Sequence, residues 1–123
     1  MMVSLEVGKL LLTLRFLPPY ADGDERDYLA ALAGIGERTD PFMLLTLFGG
    51  GGRLSADGER AQALWFKATR KTLSERCLAI AIVRPDASRK MEETFQKLWP
   101  MPTKVFQDEN EARDFLSSHA PAG

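Results

Sequence analysis

Phe42 to Phe48 reads Phe-Met-Leu-Leu-Thr-Leu-Phe, a short run that is apolar at all but one position. It is too short for an average helix and shows no polar alternation. Such a run suits a strand covered on both faces, as in a parallel sheet. Gly49 to Gly52 follow at once, a break that no regular element tolerates. Ser55 or Asp57 then opens a long amphipathic helix that reaches about Glu75. Leu78 to Val83 is a second apolar strand, stopped by Arg84-Pro85-Asp86. Two buried strands joined through a helix imply a right-handed crossover, and so a sheet that is mainly parallel.

The rest of the chain extends this pattern. Val3 to Val7, Gly8-Lys9 and Leu10 to Phe16 read as a hairpin, with Leu10, Leu12, Leu14 and Phe16 on one face. Pro18-Pro19 ends the second strand. Asp22 or Asp24 is expected to cap a helix from Arg26 to Ile35, with Tyr28, Leu29, Leu32 and Ile35 as its stripe and Gly34 and Gly36 weakening its end. In the long second helix, Ala61, Leu64, Trp65, Ala68 and Thr72 are expected on the buried side. Lys67, Arg70, Lys71 and Arg76 gather toward its C-terminal half, where the dipole favours cations.

Ser88 caps a third helix with Met91, Phe95 and Leu98 as its stripe, and Trp99-Pro100-Met101-Pro102 ends it. Thr103 to Phe106 is a short last strand. Asp108 and Glu111 have capping-box spacing before a final helix docked by Ala112, Phe115 and Leu116. The order is β(β)αβαβαβα. It predicts an α/β fold with a mainly parallel sheet of four or five strands, an antiparallel N-terminal strand and four helices. Residues 1–118 are read as one domain and 119–123 as a tail.

Size and charge narrow the function. The chain has 123 residues, 45% of them hydrophobic, and a formal net charge of -1. That charge disfavours bulk binding to nucleic acid or an anionic membrane surface. No run approaches the length of a spanning helix. Cys77 is the single cysteine, so no intramolecular disulfide forms. The N-terminus lacks the basic region and cleavage site of a secretory signal, and the expected compartment is the cytoplasm.

The glycine run lies where a strand meets a helix N-terminus, and there backbone N–H groups can face an anion or a partner. Gly49, Gly50, Gly51, Gly52, Arg53 and Ser55 are the candidate binding residues, Arg53 supplying the charge. The run is neither a Walker motif nor a dinucleotide fingerprint, because no Gly-Lys-Ser/Thr follows and Arg53-Leu54 stand near the third-glycine position. His119, the sole histidine, reads as a solvated tail residue, and nothing suggests a zinc site or a resident cofactor. Asp22, Asp24, Glu25 and Asp27 read as capping and dipole complementation rather than as an acid–base pair. Met43, Trp65, Phe66 and Trp99 form a candidate apolar surface, because Trp65 and Phe66 point about 100° apart on one helix.

The order of elements resembles the SpoIIAA-like fold, the family of STAS domains and their STAS/SEC14-type relatives. The likeness rests on Leu64-Trp-Phe-Lys67 with Arg70-Lys71, on Cys77 to Val83, and on Lys104-Val-Phe106 leading to Glu111-Ala-Arg-Asp-Phe-Leu116. It spans most of the chain, with loose motifs. It implies a regulatory, non-enzymatic module that binds a protein partner. In the best-known members a serine at the start of the helix after the second long strand is phosphorylated. Ser55 holds that position here, but Leu54 and Ala56 flank it in place of the family's Asp-Ser and following glycine.

Three readings follow. The first is an interaction module that binds a protein or a small anion at Gly49–Ser55. The second is a carrier of an apolar, lipid-like ligand at Met43, Trp65, Phe66 and Trp99. The third is a small enzyme with Ser55 or Cys77 as nucleophile. Self-association is expected of an N-terminal strand that leaves a sheet edge open.

Overall fold

A two-residue turn starts the sheet. Strand β1 (Val3–Val7) folds back antiparallel on β2 (Leu11–Phe16), and the Gly8 N–H donates to Leu11 O at 2.8 Å. The computed structural model describes residues 3–17, 23–49 and 55–120. After the hairpin come α1 (Asp24–Gly36), β3 (Phe42–Phe48), α2 (Ala56–Arg76), β4 (Cys77–Val83), α3 (Arg89–Leu98), β5 (Thr103–Phe106) and α4 (Glu109–Ser118). The strands lie in the order β1-β2-β3-β4-β5, and every pairing after the first is parallel. The α/β architecture expected from the alternating pattern is the one observed.

Because the strands follow one another without reversal, right-handed crossovers carry α1, α2 and α3 to the same face. That face is closed by Leu12, Leu14, Tyr28, Leu32, Ile35, Phe42, Leu44, Leu73, Ile80 and Ile82. Among the described elements, α4 is the helix that covers the other face. There Met43, Leu45 and Leu47 of β3 and Ala79 and Ala81 of β4 meet Ala112 and Leu116. Alanine on both sides lets the helix settle close to the middle of the sheet.

A register shift opposite Phe42–Leu44 sorts the β4 side chains between these faces. One extra residue in β4 puts Cys77 and Ile80 on the same side although they are three apart.

Two expectations need correction. Gly23, with φ at +94°, is the N-cap of α1, and its helix starts at Asp24. No side chain caps it; Asp24 lies buried in the first turn, and Asp22 falls outside the described residues. In α2, Leu64 is 62% exposed and Ala68 is exposed as well. The inward stripe is Gly58, Gln62, Trp65, Phe66, Thr69 and Leu73. The reason is that α2 packs against α1 as well as the sheet. Tyr28 of α1 donates to Gln62 Oε1 at 2.6 Å, and a Cβ on Gly36 would lie 2.9 Å from Thr69 Cγ2. Ala61, Trp65 and Thr72 are half-buried as expected; polar and small residues make the contact with α1, so leucine spacing misplaces Leu64 and Ala68.

Candidate functional site

Gly49 and Ser55, the described ends of the glycine loop, sit at the carboxyl ends of the parallel strands. The Gly49 N–H donates to Phe16 O at 3.1 Å, continuing the ladder between β2 and β3. Gly50, Gly51, Gly52 and Arg53 fall outside the described residues. Beside Gly49, at the ends of β2 and β3, lies a ring cluster. Tyr28 stands edge-on to Phe16 with centroids 5.0 Å apart and to Phe48 at 6.1 Å, and the Arg84 guanidinium lies 5.4 Å from the Phe48 centroid. Burial pushes the Tyr28 hydroxyl up to about 12, against a smaller opposing pull from Arg84.

The N-terminus of α2 already receives a carboxylate. Glu25, in the first turn of the neighbouring helix α1, accepts from both the backbone N–H and the hydroxyl of Ser55, the latter at 2.9 Å. Ser55 Oγ in turn accepts from Gly58 N at 3.0 Å as the N-cap. Orphan amides and positive dipole explain the attraction. Gly58 makes room for it: a Cβ there would come 2.5 Å from Glu25 Cδ. Glu25 was expected to complement its own helix. Its second role has a sequence signal only in hindsight, as a glycine in the first turn of an otherwise well-formed helix.

The apolar candidates divide between the two faces. Trp65, Phe66 and Trp99 share one, whereas Met43 packs under α4 on the other. Trp65 and Phe66 meet at 5.4 Å between centroids, Phe66 and Trp99 at 5.2 Å, and Trp99 stacks on Phe95 at 5.9 Å. Trp99 therefore stands between α2 and α3. It is only 6% exposed, and its indole N–H has no partner among the described residues. The Trp65 indole N–H is likewise buried without a partner. The apolar stripe of α3, Met91, Phe95 and Leu98, is only half-buried, and no residue of that helix is fully enclosed.

Of the two nucleophile candidates, Cys77 has no base among its described partners, whereas the Ser55 hydroxyl donates to the Glu25 carboxylate. Cys77 is buried, its Sγ faces Ala79 O at 3.4 Å, and burial raises the thiol from its ordinary 9.0 to about 12. The Ser55 hydroxyl is engaged by Glu25 and Gly58. His119 is less free than a tail residue, since its ring meets Phe115 edge-on at 4.8 Å. Among the described residues no group of three or more His, Cys, Asp or Glu could hold a metal ion, and no helix is long and apolar enough to cross a membrane.

With this geometry in hand, the comparison with solved structures is informative. An uncharacterized protein of the DUF3478 family from Shewanella loihica PV-4, described as having a SpoIIAA-like fold, superposes with a TM-score of 0.56. The match covers 93% of this chain and 91% of that one, at 14% sequence identity. The fold is SpoIIAA-like. No family model and no curated protein matches the sequence. At this identity the likeness speaks for the SpoIIAA-like architecture alone. The strand order also bears on the rim. Ligands of open α/β sheets favour the crevice where strand order reverses, and this SpoIIAA-like sheet has no reversal.

Proposed function

We propose that the protein is a non-catalytic binding module that holds an amphiphile, with an apolar body and a hydrogen-bond-accepting head, between α2 and α3. The observation that carries this reading is the Trp99 indole N–H, buried amid Phe66 and Phe95 and without a partner among the described residues. A buried donor without an acceptor is costly, by about 1–3 kcal/mol, and a carboxylate or carbonyl head would relieve it. The half-buried stripe of α3 offers the apolar body a surface.

Native mass spectrometry of the purified protein tests the reading. A lipid-like adduct that is lost on denaturation is expected. Oleate added to the apo protein should quench tryptophan emission, and Trp99→Phe should weaken oleate more than oleyl alkane chains lacking the head. A clean apo mass together with unchanged emission refutes it.

The rim supports a second reading, an interaction site for a protein partner or a small anion around Gly49–Ser55. Its support is the Glu25 carboxylate itself, which marks the start of α2 as attractive to anions. An acidic partner would compete with that side chain. Titration with inorganic phosphate should shift the Ser55 and Gly58 amides, more so in Glu25→Gln. Silence at both amides in both proteins counts against it.

A further inference from the structure

Strand β5 is the last of the sheet, and its ladder fixes which of its groups turn outward. The Ile80 N–H donates to Pro102 O and the Arg84 N–H to Phe106 O, each at 2.9 Å. The two ends of a trans peptide unit point opposite ways, so the Gln107 N–H points away from β4. The N–H and C=O of Val105 turn outward too, because strand residues alternate. Helix α3 takes two of the outward groups: Val105 N donates to Glu92 Oε2 and Gln96 Nε2 donates to Thr103 O, each at 3.0 Å. Val105 O and the Gln107 N–H have no partner among the described residues. Both residues line a cleft of about 390 Å³ between α3 and the start of α4, with Arg89 and Glu92 on one wall and Glu111 on the other. None of Phe66, Phe95 and Trp99 lines it, so it is separate from the amphiphile site.

We infer that this cleft binds a primary α-amino group together with the carbonyl next to it, as in a free amino acid or the first residue of a peptide. Val105 O and the Gln107 N–H are spaced as one step of a parallel ladder. A single incoming residue opposite Phe106 donates its nitrogen to Val105 O and accepts at its carbonyl from Gln107. The incoming unit has to begin at that nitrogen. Glu92 Oε2 already sits on the Val105 N–H, where the carbonyl of a residue two places earlier would bond. The same carboxylate supplies a counter-charge for an ammonium, and Glu111 stands across the cleft from it. Neither acid has an ion-pair partner among the described residues, and nor does Arg89. A charged amine gains a stronger hydrogen bond here than a neutral amide would. Arg89 provides the opposite charge for the carboxylate of a free amino acid.

Amide chemical-shift titration of the full chain tests this with three probes: alanine, trialanine amide and N-acetyl-trialanine amide. The Gln107 amide should shift with alanine or with trialanine amide, and the acetylated form should bind at least about tenfold more weakly than the better amine. Tighter binding of alanine assigns the free amino acid, and Arg89→Gln should then weaken alanine alone. Tighter binding of trialanine amide assigns a chain terminus. Glu92→Gln keeps an acceptor for the Val105 N–H but removes the charge, and should weaken the amine at least about tenfold. If Glu92→Gln fails to fold, Glu111→Gln decides in its place, because the Glu111 side chain makes no hydrogen bond among the described residues. It should weaken the amine and leave the fold unchanged. Equal binding of the free and acetylated peptides overturns the inference. So does a Gln107 amide that stays still at about 10 mM of both amines, or an affinity indifferent to both acid changes.

Discussion

One methyl group added at Gly58 would press into the Glu25 carboxylate, 2.5 Å from its Cδ. Glycine inside a helix is ordinarily about 1 kcal/mol worse than alanine. Here Gly58→Ala is expected to destabilise, by about 1–2 kcal/mol in urea unfolding, because the carboxylate must leave the Ser55 amide. Glu25→Ala in the same background should abolish that penalty, so that a double-mutant cycle shows coupling. If Gly58→Ala stabilises the wild type, the carboxylate is not held there. Cys77 offers a second residue-level check. Its thiol, raised to about 12 by burial, should resist iodoacetamide at neutral pH until the chain unfolds. Both behaviours depend on side chains far apart in sequence, which is why the charge cluster at the start of α1 reads locally as capping and nothing more.

At the scale of single elements, strands were easier to read than helix faces. The apolar block at β3 and the end of β4 are bounded by turn residues, so they follow directly, whereas α2 passes into β4 with no turn between Arg76 and Cys77. The buried side of α2 does not, because its partner is another helix that presents Glu25, Tyr28 and Gly36. The bulge in β4 is equally silent, since every residue near it is apolar and any register looks acceptable. The guard on β5 belongs to this scale as well. Glu92 and Gln96 are one turn apart on α3 and reach the donor and acceptor of the edge. Glu92→Ala should cost about 1–2 kcal/mol and raise hydrogen exchange at the Val105 amide above that of its strand neighbours. Unchanged exchange at Val105 would show that the side chain does not hold that amide.

For the molecule as a whole, two buried acids set the alkaline limit. The Cys77 thiol and the Tyr28 hydroxyl both titrate near 12 in the folded protein, against ordinary values of 9.0 and 10.0. Raised acids stay protonated in the fold while the unfolded chain loses its protons. Their contribution is therefore complete below pH 9 and declines from there toward 12. Thermal midpoints should hold up to about pH 9 and then fall, and Cys77→Ala should flatten the first part of that fall. An equally steep decline in Cys77→Ala would assign it to other groups. The alternation of strands and helices made the SpoIIAA-like architecture legible before any coordinates. The candidate sites were less so: the glycine run is visible as a break, but the groups that surround Ser55 and Trp99 come from three helices.

The latch that α3 places on β5 has a consequence for the sheet's last border. The Val105 N–H and the Thr103 carbonyl are both taken up by α3 side chains. A strand arriving from another chain finds neither group free, so the sheet cannot be extended there without first displacing Glu92 and Gln96.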